Sequence, residues 1–257
     1  MIKEDIDIKQ KCVEQRSLLK SDFLMVLRDF ANETDQSRGI DFPDIQKSYA
    51  GDIITLPIVD SELLKNKSVY DCIKDRRSRR KFTNTKISLN DLSFLLWSTQ
   101  GIQKKLQDNK ITLRTVPSGG ARHPFETYLA VFNLDGLQEG IYRYLPLEHA
   151  LTLLFQVEDM KNKIVEATLG QVFTGDASVT FIWSAVPYRT EWRYAFASAK
   201  TILLDCGHVC QNLYIACEAL NLGTCAIAAY DQKKIDELLK LDGENEFTVY
   251  LAPVGAR

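Results

Sequence analysis

The sequence predicts an α+β fold, with helices packed on a sheet, and three features carry that prediction. Residues 126–132, 178–184 and 247–254 are short runs rich in β-branched and aromatic residues, the composition of buried strands. Residues 140–144 and 150–155 are two more such runs on either side of Pro146, a spacing that reads as a hairpin. Residues 199–222 instead repeat apolar side chains at three- and four-residue steps, through Ile202, Cys206, Val209, Cys210, Leu213, Ala216, Cys217 and Leu220. That is one long helix, with Gly223 expected as its left-handed stop.

Composition narrows the function. The chain has 257 residues, 45% hydrophobic and 26% charged, with a formal net charge of -2. This suits one large domain, or one domain plus an extension, and argues against a dedicated nucleic-acid binder, which would carry a basic excess. No apolar run approaches the roughly 18 residues of a membrane span. The acidic start, residues 1–7, lacks the plan of a signal peptide, so a cytoplasmic protein is expected. Six cysteines are scattered along the chain and read as free thiols. Cys206, Cys210 and Cys217 share a helical face, but no C-x-x-C pair is present and His208 points about 160° away. They read as small core side chains, and no metal is expected.

Residues 1–65 read as an extension and 66–257 as the main domain. Within the extension, Leu18, Leu19, Phe23, Leu24, Val26, Leu27 and Phe30 predict one amphipathic helix. Residues 31–60 are polar, with Pro43, Pro57 and the apolar run Ile53-Ile54-Thr55-Leu56, which suggests a strap over the main body. A short helix near residues 69–75 follows. Ser88-Leu89-Asn90-Asp91 is a capping-box pattern that opens a helix with Leu92, Leu95, Leu96 and Thr99 on its apolar face, ended by Gly101. Residues 160–169 and 232–241 read as two further helices.

Two stretches carry binding chemistry. Pro117-Ser118-Gly119-Gly120-Ala121-Arg122-His123-Pro124 combines two glycines that permit positive φ, stiffening prolines, and donors on Ser118 and Arg122. It reads either as a ligand-binding loop or as an ordinary turn before a strand. Arg76-Arg77-Ser78-Arg79-Arg80-Lys81 sets five cations within six residues. It is either a solvated corner or a phosphate site, since arginine forks match phosphate oxygens and Ser78 adds a hydroxyl.

The order of these pieces resembles the FMN-dependent nitroreductase superfamily: an Arg-x-Ser-x-Arg corner, a helix, Pro-Ser-Gly-Gly-Ala-Arg-His-Pro before a strand, then a long helix ending in Leu-Gly-Thr. Within it, Gly140-Ile141-Tyr142-Arg143-Tyr144 and Asp205-Cys206-Gly207-His208-Val209-Cys210-Gln211-Asn212-Leu213 look like the SagB-type branch, which contains the azoline dehydrogenases of thiazole/oxazole-modified peptides. The resemblance covers about residues 68–257. It implies an α/β/α sandwich around a mixed, mainly antiparallel sheet, in a homodimer with FMN at the subunit interface and the long helix as the dimer helix. It also implies that Arg76, Arg77, Ser78 and Arg80 hold the FMN phosphate and ribityl chain, with Arg257 as a second phosphate contact. Pro117, Ser118, Gly119, Gly120 and Ala121 would form the loop that reaches the flavin ring across the dimer. Ile227, Ala228 and Ala229 would form the turn whose backbone lies near flavin N5.

The sequence has no Gly-x-Gly-x-x-Gly and no Walker loop, so a Rossmann or P-loop nucleotide site has no support. A flavin carries redox chemistry itself, and the protein need only bind and orient it. The resemblance implies NAD(P)H as co-substrate and a small nitro, quinone or similar acceptor. The azoline dehydrogenases use a Lys-Tyr pair where this chain has Arg193-Tyr194. Arginine is too basic to shuttle protons as lysine does, while Tyr194 could still serve as an acid or pack beside Trp192. His123 and His208 read as structural donors. Two other expectations stand beside the main one: dehydrogenation of azoline rings in a modified peptide, and a flavin-binding or flavin-degrading protein that does not turn over NAD(P)H.

Overall fold

Two apolar sets alternate along residues 125–131, and the sheet grows outward from that alternation. The computed structural model describes residues 8–60, 64 and 67–257. In chain order its elements are α1 (Ile8–Gln15), α2 (Phe23–Asp29), β1 (Ile53–Thr55), α3 (Val69–Asp75), α4 (Leu89–Gln100), β2 (Ile102–Leu106), β3 (Ile111–Arg114), β4 (Phe125–Val131), β5 (Gly140–Leu145), β6 (Ala150–Phe155), α5 (Met160–Ala167), β7 (Val179–Ala185), α6 (Tyr188–Tyr194), α7 (Ser198–Ala219), β8 (Leu222–Thr224), α8 (Gln232–Leu239) and β9 (Phe247–Ala256). The acidic start at residues 1–7 and the boundary expected at residues 65 and 66 lie outside the described residues.

Seven strands form one sheet in the order β1-β6-β5-β4-β7-β9-β8. Every pairing between these strands is antiparallel, and the parallel contact is an isolated bridge between Ile87 and Leu134. Phe125, Leu129 and Val131 of β4 join the core under α4 and α7, whereas Tyr128 and Ala130 join the core under α5 and α8. Successive strand residues point to opposite faces, so one buried strand supplies both cores and the layers stack as helix, sheet, helix. α4 begins with the expected capping box, in which Ser88 accepts from the Asp91 N–H and the Asp91 side chain caps Ser88.

Two expectations change, and two elements were not expected. The amphipathic helix expected across residues 18–30 is broken: a 3-10 turn at Arg16–Leu19 ends in extended backbone at Lys20, and α2 starts at Phe23. Gly223 is not the helix stop; Asn221, at φ 58°, takes the left-handed position, and Gly223 belongs to β8, pressed against Phe82. The lysine-rich hairpin β2–β3 and the helix α6 have no counterpart in the sequence-based reading. β2 is mostly exposed, and the charged stretch of α6 buries Arg189, Thr190 and Trp192, so neither shows an apolar period.

The strap is built into the fold. β1 pairs with β6 at the sheet edge. Upstream of it, three buried arginines hold strap carbonyls: Arg189 Nε donates to Asp44 O, Arg114 Nη2 to Ile45 O, and Arg143 Nη2 to Ser48 O. Glu126 compensates their charge, accepting from Arg189 Nη2 and the Lys47 N–H and lying 3.9 Å from Arg143 Nε.

Candidate functional site

The arginine corner leaves α3 in extended backbone at Arg76 and runs beside β8 and β9, where Arg79 N–H donates to Thr224 O and Thr83 N–H to Ala256 O. Neighbouring side chains of an extended segment diverge, and here they have different partners. The Arg76 guanidinium stacks over the Tyr214 ring at 5.2 Å, Ser78 Oγ lies 3.0 Å from Tyr214 Oη, and Arg80 stacks over Phe173 at 5.8 Å. Tyr214 Oη also accepts the Ala226 N–H at 2.7 Å. One phenol therefore ties the corner to the 226–229 turn, two regions the sequence pointed to separately.

Within that turn the roles differ. Ile227 is buried and exchanges both backbone hydrogen bonds with Leu251, so it offers no free donor. Ala228 and Ala229 are exposed, and among the described residues no protein acceptor meets their N–H groups. Gln171 fixes the turn by donating to Ala229 O. Exposed amides beside a cationic corner suit a polar, anionic ligand.

Arg77 and Arg257 lie apart from Ser78. Arg77 donates to the carbonyls of Lys74 and Arg76, and Arg257 pairs in two-pronged fashion with the buried Glu218 while its Nε reaches Asn221. Lys67 and Arg79 hold the same carboxylate. These groups line a cleft of about 420 Å³ with Asp75.

The glycine loop belongs to another part of α7. Ser118 donates to Asp205 Oδ2 at 2.6 Å, and the Gly119 N–H lies 3.1 and 3.2 Å from the two carboxylate oxygens. Ser118 Oγ in turn accepts the His123 N–H. Arg122 is buried, stacks on Phe42 and Trp192, and donates to Gly120 O. The two side-chain donors of the loop thus shape the loop itself. Gly120 adopts φ 60°, ψ 22°, and a Cβ there would lie 2.5 Å from Tyr194 Oη; one on Gly119 would lie 2.3 Å from Thr201 Cγ2. Both glycines are required by close approach.

Burial, with Arg114 and Arg122 nearby, pushes the His123 pKa down to about 2, so the ring stays neutral. Burial also pushes the Asp205 carboxyl up, opposed by Ser118 and Gly119. The Cys206 and Cys217 thiols are raised by burial, and Cys210 reaches about 12, which makes them inert core groups. Among the described residues no cluster of His, Cys, Asp and Glu is placed to hold a metal ion, and no helix is long and apolar enough to cross a membrane.

Asp205 and Tyr214 are roughly two and a half turns apart on α7. The corner and the loop are therefore two partial sites toward opposite ends of one helix. α7 shows an exposed stripe of Leu203, Leu204, Gly207, His208 and Gln211, which starts just before Asp205 and runs toward Tyr214, with the two leucines 59% and 56% exposed. Tyr214, Asp205 and Glu218, which organise both halves, were missed as site residues. Their helical spacing alone gives core or surface positions, and their partners are distant in the chain.

Comparison with known proteins matches this geometry to a family. The chain is 30% identical over 207 residues to "Putative nitroreductase MJ1384" of Methanocaldococcus jannaschii, an alignment covering 80% of this chain and 98% of that protein. A crystal structure from Ralstonia eutropha, described as a "putative nitroreductase", superposes with TM-score 0.66 at 24% identity over 79% of this chain and 89% of that one. A chain of the Escherichia coli microcin synthetase McbBCD complex, solved with truncated pro-MccB17 bound, superposes with TM-score 0.57 at 18% identity over 95% of this chain and 97% of that one, so its fold also spans the extension. The Nitroreductase family profile matches residues 73–256, and the chain belongs to the Nitroreductase family, an oxidoreductase family.

Proposed function

We propose that the protein is a cytoplasmic, homodimeric FMN oxidoreductase that takes hydride from NAD(P)H and passes it to a small nitro, quinone or similar acceptor. The observation that carries this reading is the Tyr214 link, which ties Arg76 and Ser78 to Ala226, two residues before the exposed Ala228 whose amide, like that of Ala229, meets no protein acceptor among the described residues. That donor set fits FMN: guanidinium and hydroxyl groups for the phosphate and ribityl chain, backbone amides for the polar edge of the ring. When bound, the flavin supplies the two-electron chemistry. The chain's own residues bind it, orient it and exclude water.

A second copy laid antiparallel along α7 would bring the loop of one protomer, with Tyr194, to the corner of the other. The exposed Leu203 and Leu204 give that contact an apolar surface. Residues 66–257 would form the flavin domain, and the extension at residues 1–65 would pack against it through the strap. In the second enzyme reading, azoline dehydrogenation, Tyr194 would relay the proton that the ring loses as its hydride passes to the flavin; its favouring observation is that the Tyr194 hydroxyl has no hydrogen-bond partner among the described residues.

The deciding measurement is the visible spectrum of the purified protein before and after anaerobic addition of NADPH, then NADH. Yellow protein that bleaches with either donor supports the main reading. Yellow protein that ignores both favours peptide-ring dehydrogenation or a flavin-binding or flavin-degrading role. Colourless protein that refuses added FMN overturns the site.

A further inference from the structure

We propose that Arg193 and Tyr194 form an anion fork that binds a carboxylate of the acceptor, so that the oxidant is a carboxylate-bearing compound; this deepens, and rests on, the flavin oxidoreductase reading. The two side chains converge over Gly120, where the position of an added Cβ lies 2.5 Å from Tyr194 Oη, 2.9 Å from Arg193 Cδ and 3.0 Å from Arg193 Nε. The phenol oxygen and the guanidinium Nε therefore both lie against the bare face of the glycine, close enough to each other for one small ligand group to meet both. Among the described residues neither polar group hydrogen-bonds to protein: Tyr194 touches the Phe23 ring edge-on at 5.2 Å, and Arg193 stacks at 5.5 Å on Tyr194. By contrast Arg114, Arg143, Arg189 and Arg257 all spend their guanidinium groups on carbonyls or carboxylates.

The surroundings favour an anion. Arg122 lies beside Arg193, whose charge adds to burial in lowering the Arg122 pKa. No carboxylate among the described residues is within ion-pair distance of either arginine. Asp205 is engaged with Ser118 and Gly119 on the loop. The pair is also held in place: directly after Tyr194, Ala195 takes φ 44°, ψ -132°, a conformation that costs an alanine free energy and persists only where its neighbours enforce it. Two adjacent donors, one of them a planar fork, match the two oxygens of a carboxylate.

The test is calorimetric titration of the purified full-length protein with benzoate and with its neutral isostere benzamide. Benzoate is expected to bind about tenfold tighter, the worth of a charge-assisted pair over a neutral one. Arg193→Leu should abolish the preference, Tyr194→Phe should cut it about threefold, and Arg193→Lys should keep part of it, which covers the case of a leucine variant that does not fold. Equal binding of the two probes, or a preference untouched in Arg193→Leu, would overturn the proposal. So would inorganic pyrophosphate displacing benzoate and binding more tightly, since that assigns the fork to the dinucleotide donor. Yellow protein that bleaches with NAD(P)H but ignores the carboxylate sinks the fork alone. Colourless protein that still prefers benzoate sinks the flavin reading alone.

Discussion

The Tyr214 hydroxyl lies 3.0 Å from Ser78 Oγ and accepts the Ala226 N–H at 2.7 Å, so one side chain of α7 sets the distance between the arginine corner and the exposed turn. Tyr214→Phe keeps the ring under Arg76 but removes both hydrogen bonds. The expected result is flavin affinity weaker by about tenfold, the worth of one to two neutral hydrogen bonds, with little change in melting temperature. Fluorescence titration of the flavin-free protein with FMN measures it. An unchanged dissociation constant would mean the two regions do not bind one ligand.

Glu218 gives a pH signature. Burial pushes its carboxyl up, but the hydrogen bonds and charges of Lys67 and Arg257 outweigh that and leave it below its ordinary 4.5. A folded-state pKa below the unfolded value contributes stability that is fully present above about pH 4.5 and is lost as pH falls through the folded value. Glu218→Gln should therefore be most destabilising near neutral pH, with the gap to wild type closing in acid. Urea midpoints across that range decide it, and a gap independent of pH would show that the carboxylate is not ionised in the folded protein.

The sequence disclosed what is set by local pattern. β4 to β7, α3 and α4 follow from apolar runs and caps, and α7 from its three- and four-residue steps, because each needs only neighbours along the chain. The corner and the 227–229 turn stand apart in the sequence, and Tyr214 bonds both Ser78 and the Ala226 N–H next to that turn. What stayed hidden depends on distant partners. Ser118 and Arg122 looked like ligand donors, yet Asp205, 87 positions away, takes the hydroxyl, and the guanidinium lies against the adjoining Phe42 and Trp192 rings. Asn221 rather than Gly223 turns the chain after α7, because Gly223 is needed in β8 where Phe82 and Arg79 approach.

The buried ionic cluster should be fragile when halved. Glu126 faces Arg189 and Arg143 in the core, and both arginines hold strap carbonyls. Glu126→Leu leaves two buried cations without a counter-charge, which costs about 3–5 kcal/mol. Chemical denaturation should show that loss, with faster hydrogen exchange at residues 44–48. A cost under about 1 kcal/mol would mean that water already compensates the arginines.

Gly119 and Thr201 offer a test of how tightly the loop sits on α7. A Cβ on Gly119 would lie 2.3 Å from Thr201 Cγ2, closer than non-bonded carbons approach, while the Gly119 N–H must stay on Asp205. Gly119→Ala should therefore push the loop off its carboxylate, destabilising the protein by about 1–3 kcal/mol as overpacking does. Thr201→Ser deletes only the offending methyl and, alone, should cost about 1 kcal/mol. If the clash is the cause, the double variant Gly119→Ala/Thr201→Ser recovers much of the loss, giving a coupling of about 1–2 kcal/mol in a double-mutant cycle read by denaturant midpoints. Strict additivity would mean that the loop moves independently of α7.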